Sequence, residues 1–199
     1  MKNILNNKGQ GLLEAMAGIT IIIIGLTGIL AIGYGSMASN YEAQTRVVAA
    51  NLAREGVEAA HNIRDSNWLG ANLWDDGLHN AADYNGVPIL DFLTGRWQIN
   101  FTPNDFVSDI TKVYQYTSGN YKNFFFQSDS LPAAASEIPF RRFITLKSIC
   151  YDGAAETVEE SALCSTGNKI GVRIVVEVRW IEHSRTHNLI VEDSVYDWR

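Results

Sequence analysis

Hydrophobic and polar positions divide this chain into a long apolar segment near its start and a mixed remainder. Apolar and small residues fill positions 12–34, where Glu14 is the only charged residue. A run of about 20 apolar residues is long enough for a helix to cross a bilayer. The pattern therefore predicts a membrane helix over residues 12–34 that carries a single acid near its beginning.

The helical pattern continues beyond the apolar segment. Positions 41–64 contain no proline, and their apolar residues recur at helical spacings, as in Ala43, Val47, Ala50, Val57 and Ala60. We predict one helix over residues 10–66, with a stalk at 35–66 whose apolar stripe packs against a globular domain. At about 1.5 Å per residue, positions 12–64 form a rod about 80 Å long.

Residues 67–199 are predicted to form one head domain of ordinary size. Positions 68–88 are rich in Asn, Asp and Gly and are expected to be loop. Strands are predicted at 97–101, 113–116, 124–126, 140–149, 171–181 and 187–195. The clearest is 171–181, where Val172, Ile174, Val176, Val178 and Trp180 alternate with more polar positions. The expected fold class is α+β, with the long N-terminal helix covering an antiparallel sheet.

The charges of the chain indicate which partners and which orientation in a membrane are expected. The net charge is −6, which argues against binding to nucleic acid. Arg141 and Arg142 are adjacent in a predicted strand and are interpreted as a solvated face. Lys2 and Lys8 precede the apolar segment, so the positive-inside rule predicts a cytoplasmic N-terminus and a head outside the membrane.

Cys150 and Cys164 are the only cysteines. In a head placed outside the membrane they are candidates for a disulfide, which would contribute about 3 kcal/mol by closing a loop of this length. Two free thiols are the alternative. Two cysteines without a nearby histidine supply too few ligands for zinc. We expect no metal, no cofactor and no enzyme, because no catalytic constellation has a recognisable context.

The residues around the acid carry a further signal. The stretch Asn7-Lys8-Gly9-Gln10-Gly11-Leu12-Leu13-Glu14 resembles the N-terminus of type IV prepilins and pseudopilins. In that family a short basic leader ends in Gly, the next bond is cleaved, and Glu is the fifth mature residue before a long apolar helix. The resemblance implies a leader at residues 1–9, cleavage between Gly9 and Gln10 by prepilin peptidase, N-methylation of Gln10, and the pilin fold.

The same resemblance implies an assembly chemistry. Glu14 would bind the new N-terminal amine of Gln10 on a neighbouring subunit, so the partners are other pilin subunits, an assembly platform membrane protein and, before assembly, membrane lipid. The precursor would be a single-pass protein of the cytoplasmic membrane, and the mature chain would belong to an extracellular or periplasmic filament. The C-terminal Tyr196-Asp197-Trp198-Arg199 is similar to the endings of minor pilins and pseudopilins of the V and I types, which favours a minor subunit.

Other classes stay open on the residues alone. One is a single-pass anchor that presents an extracytoplasmic binding head and never polymerises, and another is an adhesin-like tip pilin. A removed signal peptide is disfavoured, because its apolar core would span only roughly 7–15 residues. Substitution of Glu14 separates pilins from a plain anchor, since an anchor should tolerate Ala at that position.

Overall fold

The structure, a computed structural model, describes residues 10–79, 85–102, 105–128, 134–154, 157–161, 164, 167–182 and 184–198. The predicted leader at residues 1–9, including Gly9, lies outside this part of the chain. The chain divides after Thr45 into two compact units, and each is considered by itself.

One long helix and an antiparallel sheet make up the described residues. Helix α1 spans Gln10–Leu69, and a 3₁₀ turn lies at Asp109–Thr111. The strands are β1 (Asn85–Asp91), β2 (Arg96–Asn100), β3 (Lys112–Tyr116), β4 (Phe125–Phe126), β5 (Ala135–Asp152), β6 (Thr157–Ser161), β7 (Asn168–Glu182) and β8 (Arg185–Tyr196). The layout is α+β, with a long apolar N-terminal helix packed on an antiparallel sheet, as the sequence predicts.

Helix α1 ends at Leu69, beyond its predicted end at residue 66, because a local hydrogen-bonding motif terminates it there. The amide of Asn72 donates to the carbonyl of Asn67 at 2.9 Å, and the amide of Ala71 donates to the carbonyl of Trp68 at 3.3 Å. Ala71 has a φ of 54°, in the left-handed region. These are the two hydrogen bonds and the left-handed residue of a Schellman motif, here with Ala in the place that Gly usually takes.

Strand β5 organises the sheet. Its 18 residues pair with β7 along one edge and, at successive positions, with β3, β1 and β6 along the other. Strand β2 pairs with β1, β4 pairs with β3, and β8 pairs with β7, all antiparallel. The result is one eight-stranded sheet within the described residues.

The core lies between the second half of α1 and one face of this sheet. The helix contributes Ala49, Leu52, Ala53, Val57, Ala60 and Ile63, and the sheet contributes Ile144, Leu146, Val172, Ile174, Val176, Val178 and Trp180. The predicted alternation in β7 is thereby confirmed. Each fully buried Val, Leu or Ile side chain contributes about 1.5–3 kcal/mol.

Gly56 lets α1 approach the sheet closely. A Cβ atom at this position would lie 2.8 Å from Cγ1 of Val176. A glycine inside a helix costs about 1 kcal/mol relative to Ala, so its presence here is explained by the close contact with β7.

The prediction that Arg141 and Arg142 form a solvated face is wrong. Arg142 is 1% exposed. Its Nε donates to Oε1 of Gln127 at 2.7 Å, and a terminal nitrogen donates to the carbonyl of Leu52 at 3.1 Å. Oε2 of Glu55 lies 3.5 Å from that nitrogen. The carboxylate therefore compensates the positive charge of Arg142 without forming a short hydrogen bond to it. Burial lowers the pKa of Arg142, and the charge of Glu55 opposes that shift.

Arg141 is also engaged, although its side chain points to the opposite face of β5. One terminal nitrogen donates to the carbonyls of Phe106 and Ser108 at 2.9 and 3.0 Å and to Oγ1 of Thr111 at 2.9 Å. The two arginines therefore fix different parts of the head: Arg142 joins β5 to α1, and Arg141 holds the loop before β3.

A second polar contact joins α1 to the sheet at β8. Nε2 of His61 lies 2.8 Å from Oδ2 of Asp193, and the other carboxylate oxygen accepts from the amide of Ser194 at 2.7 Å. The hydrogen bond with His61 is the largest cause of a lowered pKa at Asp193, and desolvation opposes it. Because this pKa is lowered in the folded state, the stabilisation is present above the ordinary value of 3.8 and is lost as pH falls through the folded value.

We predict that Arg142→Ala destabilises the head by about 3–5 kcal/mol, because it leaves Glu55, Gln127 and the carbonyl of Leu52 without their buried partner. All five tryptophans lie beyond Arg46, so tryptophan fluorescence of the full-length protein in detergent reports unfolding of the head. Arg96→Ala, at an exposed strand position, is the control and should change the free energy of unfolding by less than about 1 kcal/mol. Equal effects of the two variants would contradict the role given to Arg142.

We predict that Asp193→Asn lowers the melting temperature at pH 7, by the equivalent of about 0.5 kcal/mol for a partly exposed pair. The difference from the wild type should disappear at pH values below the folded pKa of Asp193, where the wild-type carboxyl is also neutral. Asp197→Asn is the matched control, since this exposed side chain forms no hydrogen bond or ion pair with another described residue. The same pH profile for both variants would exclude the His61–Asp193 contact as a source of pH dependence.

Candidate membrane and assembly segment

The first half of α1 exposes a continuous apolar surface. Its large side chains are between 54% and 75% exposed from Leu12 to Ile32. An 18-residue window of the helix has a mean hydropathy of 2.4, and none of it is buried within the protein. Soluble monomers rarely expose apolar patches of this extent. The helix is long and apolar enough to span a membrane, as expected for a single-pass membrane protein.

Two threonine hydroxyls in this half of the helix are hydrogen-bonded within it. Oγ1 of Thr20 donates to the carbonyl of Met16 at 2.8 Å, and Oγ1 of Thr27 donates to that of Ile24 at 2.9 Å. Hydroxyl groups bonded in this way do not require water, which suits a helix surrounded by hydrocarbon.

Glu14 is not bonded in this way. Its side chain is exposed on the helix, and no described residue forms an ion pair with it. A charge at the centre of a membrane helix costs about 2.5–3.5 kcal/mol, and less near the interface. Glu14 is therefore a candidate for an ionic contact that the described residues do not supply.

The other predicted processing residues lie at the edge of the described chain. Gln10 is the first residue of α1, one helical turn before Glu14. Gly9 lies outside the described residues, so the cleavage expected between Gly9 and Gln10 stays a prediction.

Small residues leave the surface of this segment open. Gly11, Gly18, Gly25, Gly28, Gly33 and Gly35 have no heavy atom within 4 Å of the position of a Cβ. In membrane helices such positions allow two backbones to approach closely. The segment can therefore pack against other helices without rearranging its own side chains.

The two cysteines form a disulfide. The Sγ atoms of Cys150 and Cys164 are 2.01 Å apart, and the bond closes a separation of 14 residues that contains β6. Cys150 is fully buried at the end of β5. The sequence left this disulfide and two free thiols as alternatives, and the structure contains the disulfide.

An aromatic cluster on the head brings together residues that no single local pattern in the sequence connects. Phe92, in the turn between β1 and β2, contacts Tyr116, Tyr121, Phe124 and Phe126 with ring centroids 5.3–6.1 Å apart. Tyr121 is 52% exposed and Phe124 is 40% exposed. The triplet Phe124-Phe125-Phe126 was the signal available in the sequence, but Phe92 and Tyr121 come from separate turns.

Within the described residues, no group of three or more His, Cys, Asp or Glu side chains could hold a metal ion. Asp75 lies in the acid-rich loop after α1. Its Oδ2 forms an ion pair with Nζ of Lys169 at 2.6 Å. His79 lies 3.5 Å from the same oxygen. These contacts attach the loop that follows α1 to β7.

No family model, curated protein or solved structure matches the chain. The family expected from residues 7–14 therefore stays a prediction. What the chain does is inferred from its own residues and their geometry.

We predict that the double substitution Cys150→Ser and Cys164→Ser lowers the free energy of unfolding by about 3 kcal/mol, because the unfolded chain regains the freedom of the closed loop. Urea unfolding of the full-length protein in detergent, followed by tryptophan fluorescence, measures the change. Reduction of the wild type should produce the same loss and no further loss in the double variant. Equal midpoints for oxidised wild type and variant would contradict the stabilising role of the bond.

Proposed function

We propose that this chain is a type IV pilin-like structural subunit that prepilin peptidase processes and that then assembles, as a minor subunit, into a pilus or pseudopilus filament. The observation that carries the proposal is the exposed acid Glu14, four residues after Gln10 on a membrane-length helix whose second half packs on an antiparallel sheet. This layout supports a pilin fold.

Cleavage would supply a cationic partner for Glu14, which has none among the described residues. Hydrolysis of the bond between Gly9 and Gln10 releases the leader and leaves an α-amine on Gln10, which is largely protonated at neutral pH because its pKa is about 7.7–8.0. Two unit charges 4 Å apart attract by about 4 kcal/mol at an effective dielectric constant of 20. That energy is comparable with the cost of placing the acid in the membrane, so pairing with a neighbouring subunit offsets the penalty.

The leader would keep the precursor from assembling. Before cleavage, Lys2 and Lys8 hold the N-terminus at the cytoplasmic surface, and no amine exists at Gln10. After cleavage the amine can reach the depth of Glu14 on an adjacent helix. Processing therefore controls the moment at which a membrane protein becomes a filament subunit.

The apolar half of α1 would then exchange lipid for other subunits. Its exposed side chains between Leu12 and Ile32 would be buried against neighbouring helices, and its open glycine positions would allow close approach. The partners implied are other pilin subunits and an assembly platform membrane protein.

The second candidate is a single-pass anchor that presents a binding head and does not polymerise. The observation that favours it is the partly exposed aromatic cluster around Phe92, since exposed aromatic groups are enriched at protein interfaces. The two candidates differ in what they require of Glu14: a filament subunit needs its charge, whereas an anchor is stabilised by its removal.

We predict that cells containing prepilin peptidase convert the chain to a form whose first residue is Gln10, with or without an added methyl group, and that this form occurs in sheared extracellular or periplasmic filaments. Intact mass and N-terminal peptide sequencing of membrane and sheared fractions measure it. A peptidase-deficient strain should retain the full-length precursor. A start at Met1 or Ser39 in both strains would contradict the proposal.

Glu14→Ala extends the same test to assembly. The variant should insert in the membrane and be cleaved, but its recovery in filaments should fall at least tenfold. Glu58→Ala is the matched control, because Glu58 is an exposed acid on the same helix outside the apolar segment. Normal filament recovery of Glu14→Ala would favour the anchor instead.

A further inference from the structure

Strand β8 has a free edge. It pairs with β7 over its full length of 12 residues without a register shift, and within the described residues no strand pairs with its other side. The amide of Asp197 donates to the carbonyl of Ile170 on β7. Because antiparallel pairs alternate, the odd-numbered residues of β8 turn their amides and carbonyls toward β7, and the even-numbered residues turn theirs toward the free edge.

Four consecutive even-numbered residues leave these groups unpaired. They are Thr186, Asn188, Ile190 and Glu192, whose backbone groups have no partner among the described residues. The next even-numbered amide, that of Ser194, donates to the side chain of Asp193. The free run of backbone groups therefore covers residues 186–192 and ends at a capped amide.

The edge lacks three features that usually prevent pairing with another chain. Natural edge strands are protected by proline, by lysine and other charged side chains, or by a β-bulge. The acids of β8 are already paired within the chain, Glu192 with Arg173 and Asp193 with His61. Strand β8 contains no proline and no lysine, and its ladder with β7 has no bulge. Ile190 on this edge is 50% exposed, and the side chains of Leu189 and Val191 are only partly covered by the core.

The free run is complementary to itself. Its centre is Leu189, with Arg185 four residues before it and Asp193 four residues after it. Arg185 is exposed and has no acidic partner among the described residues. In an antiparallel pair centred on Leu189, each Arg185 would lie opposite Asp193 of the second copy, an arrangement of opposite charges that stabilises paired strands.

We propose that β8 pairs antiparallel with β8 of a second copy of this chain, in the register centred on Leu189. In this register Thr186 pairs with Glu192 of the second copy, and Asn188 pairs with Ile190. All four free residues on each strand gain hydrogen-bonded partners, and Leu189 lies opposite its own equivalent. The contact is isologous and joins two sheets into one continuous sheet.

The direction of α1 within the head determines how the two copies of the helix are oriented in this pair. Leu52 contacts Arg142, which lies across the ladder from Val178 and hence near the level of Leu189, whereas His61 contacts Asp193. Helix residues beyond Arg46 therefore run in the same direction as β8. A two-fold axis reverses one copy, so the Arg46 ends of the two helices lie at opposite ends of the joined sheet. The contact accordingly joins two heads in opposite orientations, which goes beyond the proposed function and does not depend on it.

Cysteine cross-linking tests the register. The native cysteines are joined to each other, so the thiol of Leu189→Cys is the only free one. Opposite residues of a pair without hydrogen bonds between them have Cα atoms about 4.5 Å apart, within the range of a disulfide. The full-length protein in detergent micelles should form a covalent dimer on mild oxidation, seen on a non-reducing gel.

Val191→Cys is the matched control on the same edge and the same face. In the proposed register Val191 lies opposite His187 of the second copy, so the two Val191 positions are separated by about 13 Å along the strands, too far for a disulfide. Dimer from Leu189→Cys and at least tenfold less from Val191→Cys is the expected result. Equal yields, or no dimer from either variant, would overturn the register.

Ile190→Pro tests the pairing without a new cysteine. It removes an amide that faces the free edge and leaves the bonds to β7 intact, so the head should keep its melting temperature within a few degrees. Sedimentation of the unprocessed protein in detergent should show a dimer for the wild type and at least a tenfold weaker dimer for the variant. A monomeric wild type, or equal association of both proteins, would overturn the proposal. Because the precursor is used, failure of leader cleavage does not affect the result.

Discussion

Packing of the second half of α1 against one face of the sheet is the contact on which the rest of the head depends. Three features act together there: an apolar stripe of small and medium side chains, a glycine that admits the backbone to Val176, and a buried guanidinium that hydrogen-bonds the carbonyl of Leu52. Apolar burial supplies most of the stabilisation, but it is not directional. The Arg142 network adds direction, because its donors are satisfied at only one position of the helix along β5.

One helix thus serves two environments. The residues after Arg46 bury a stripe against protein, whereas positions 12–34 expose apolar side chains all around the helix. The same secondary structure suits both, because a helix satisfies its own backbone hydrogen bonds in water and in hydrocarbon. The side-chain pattern alone changes along α1, and this change separates the anchoring segment from the segment that carries the head.

Much of this could be predicted from the sequence, since periodicity depends on few residues. The long helix and the alternation in β7 follow from local patterns and were predicted. The local pattern of Asn85, Gly86 and Pro88 predicts a loop where strand β1 begins. The strand forms by pairing with β2 and β5, which is a tertiary effect. Strand β6 was missed for a similar reason, as it pairs with the end of β5.

The error at Arg142 has a different origin. Arg142 has the same parity as Phe140, Ile144 and Leu146, so the alternation of β5 already placed it on the core face. The charge of an arginine favours an exposed position, but Arg142 lies on the face of β5 that packs against α1. The acid that opposes that charge, Glu55, is 87 residues earlier in the chain (142 − 55), and no local pattern indicates that the two meet. In the first half of α1, the acid Glu14 and its spacing from Gln10 could be read from the sequence. The sequence indicates no ligand for the head.

The glycines in the first half of α1 have a mechanical consequence. Each lowers intrinsic helix stability by about 0.8–1 kcal/mol relative to Ala, and Gly25, Gly28 and Gly33 lie within nine residues of one another. In hydrocarbon the helix persists because unbonded amides and carbonyls have no other partner. Where water can reach them, the same residues can lengthen from about 1.5 Å to about 3.3 Å each. The surroundings of these glycines, rather than their intrinsic helix stability, therefore decide whether this part of α1 stays helical.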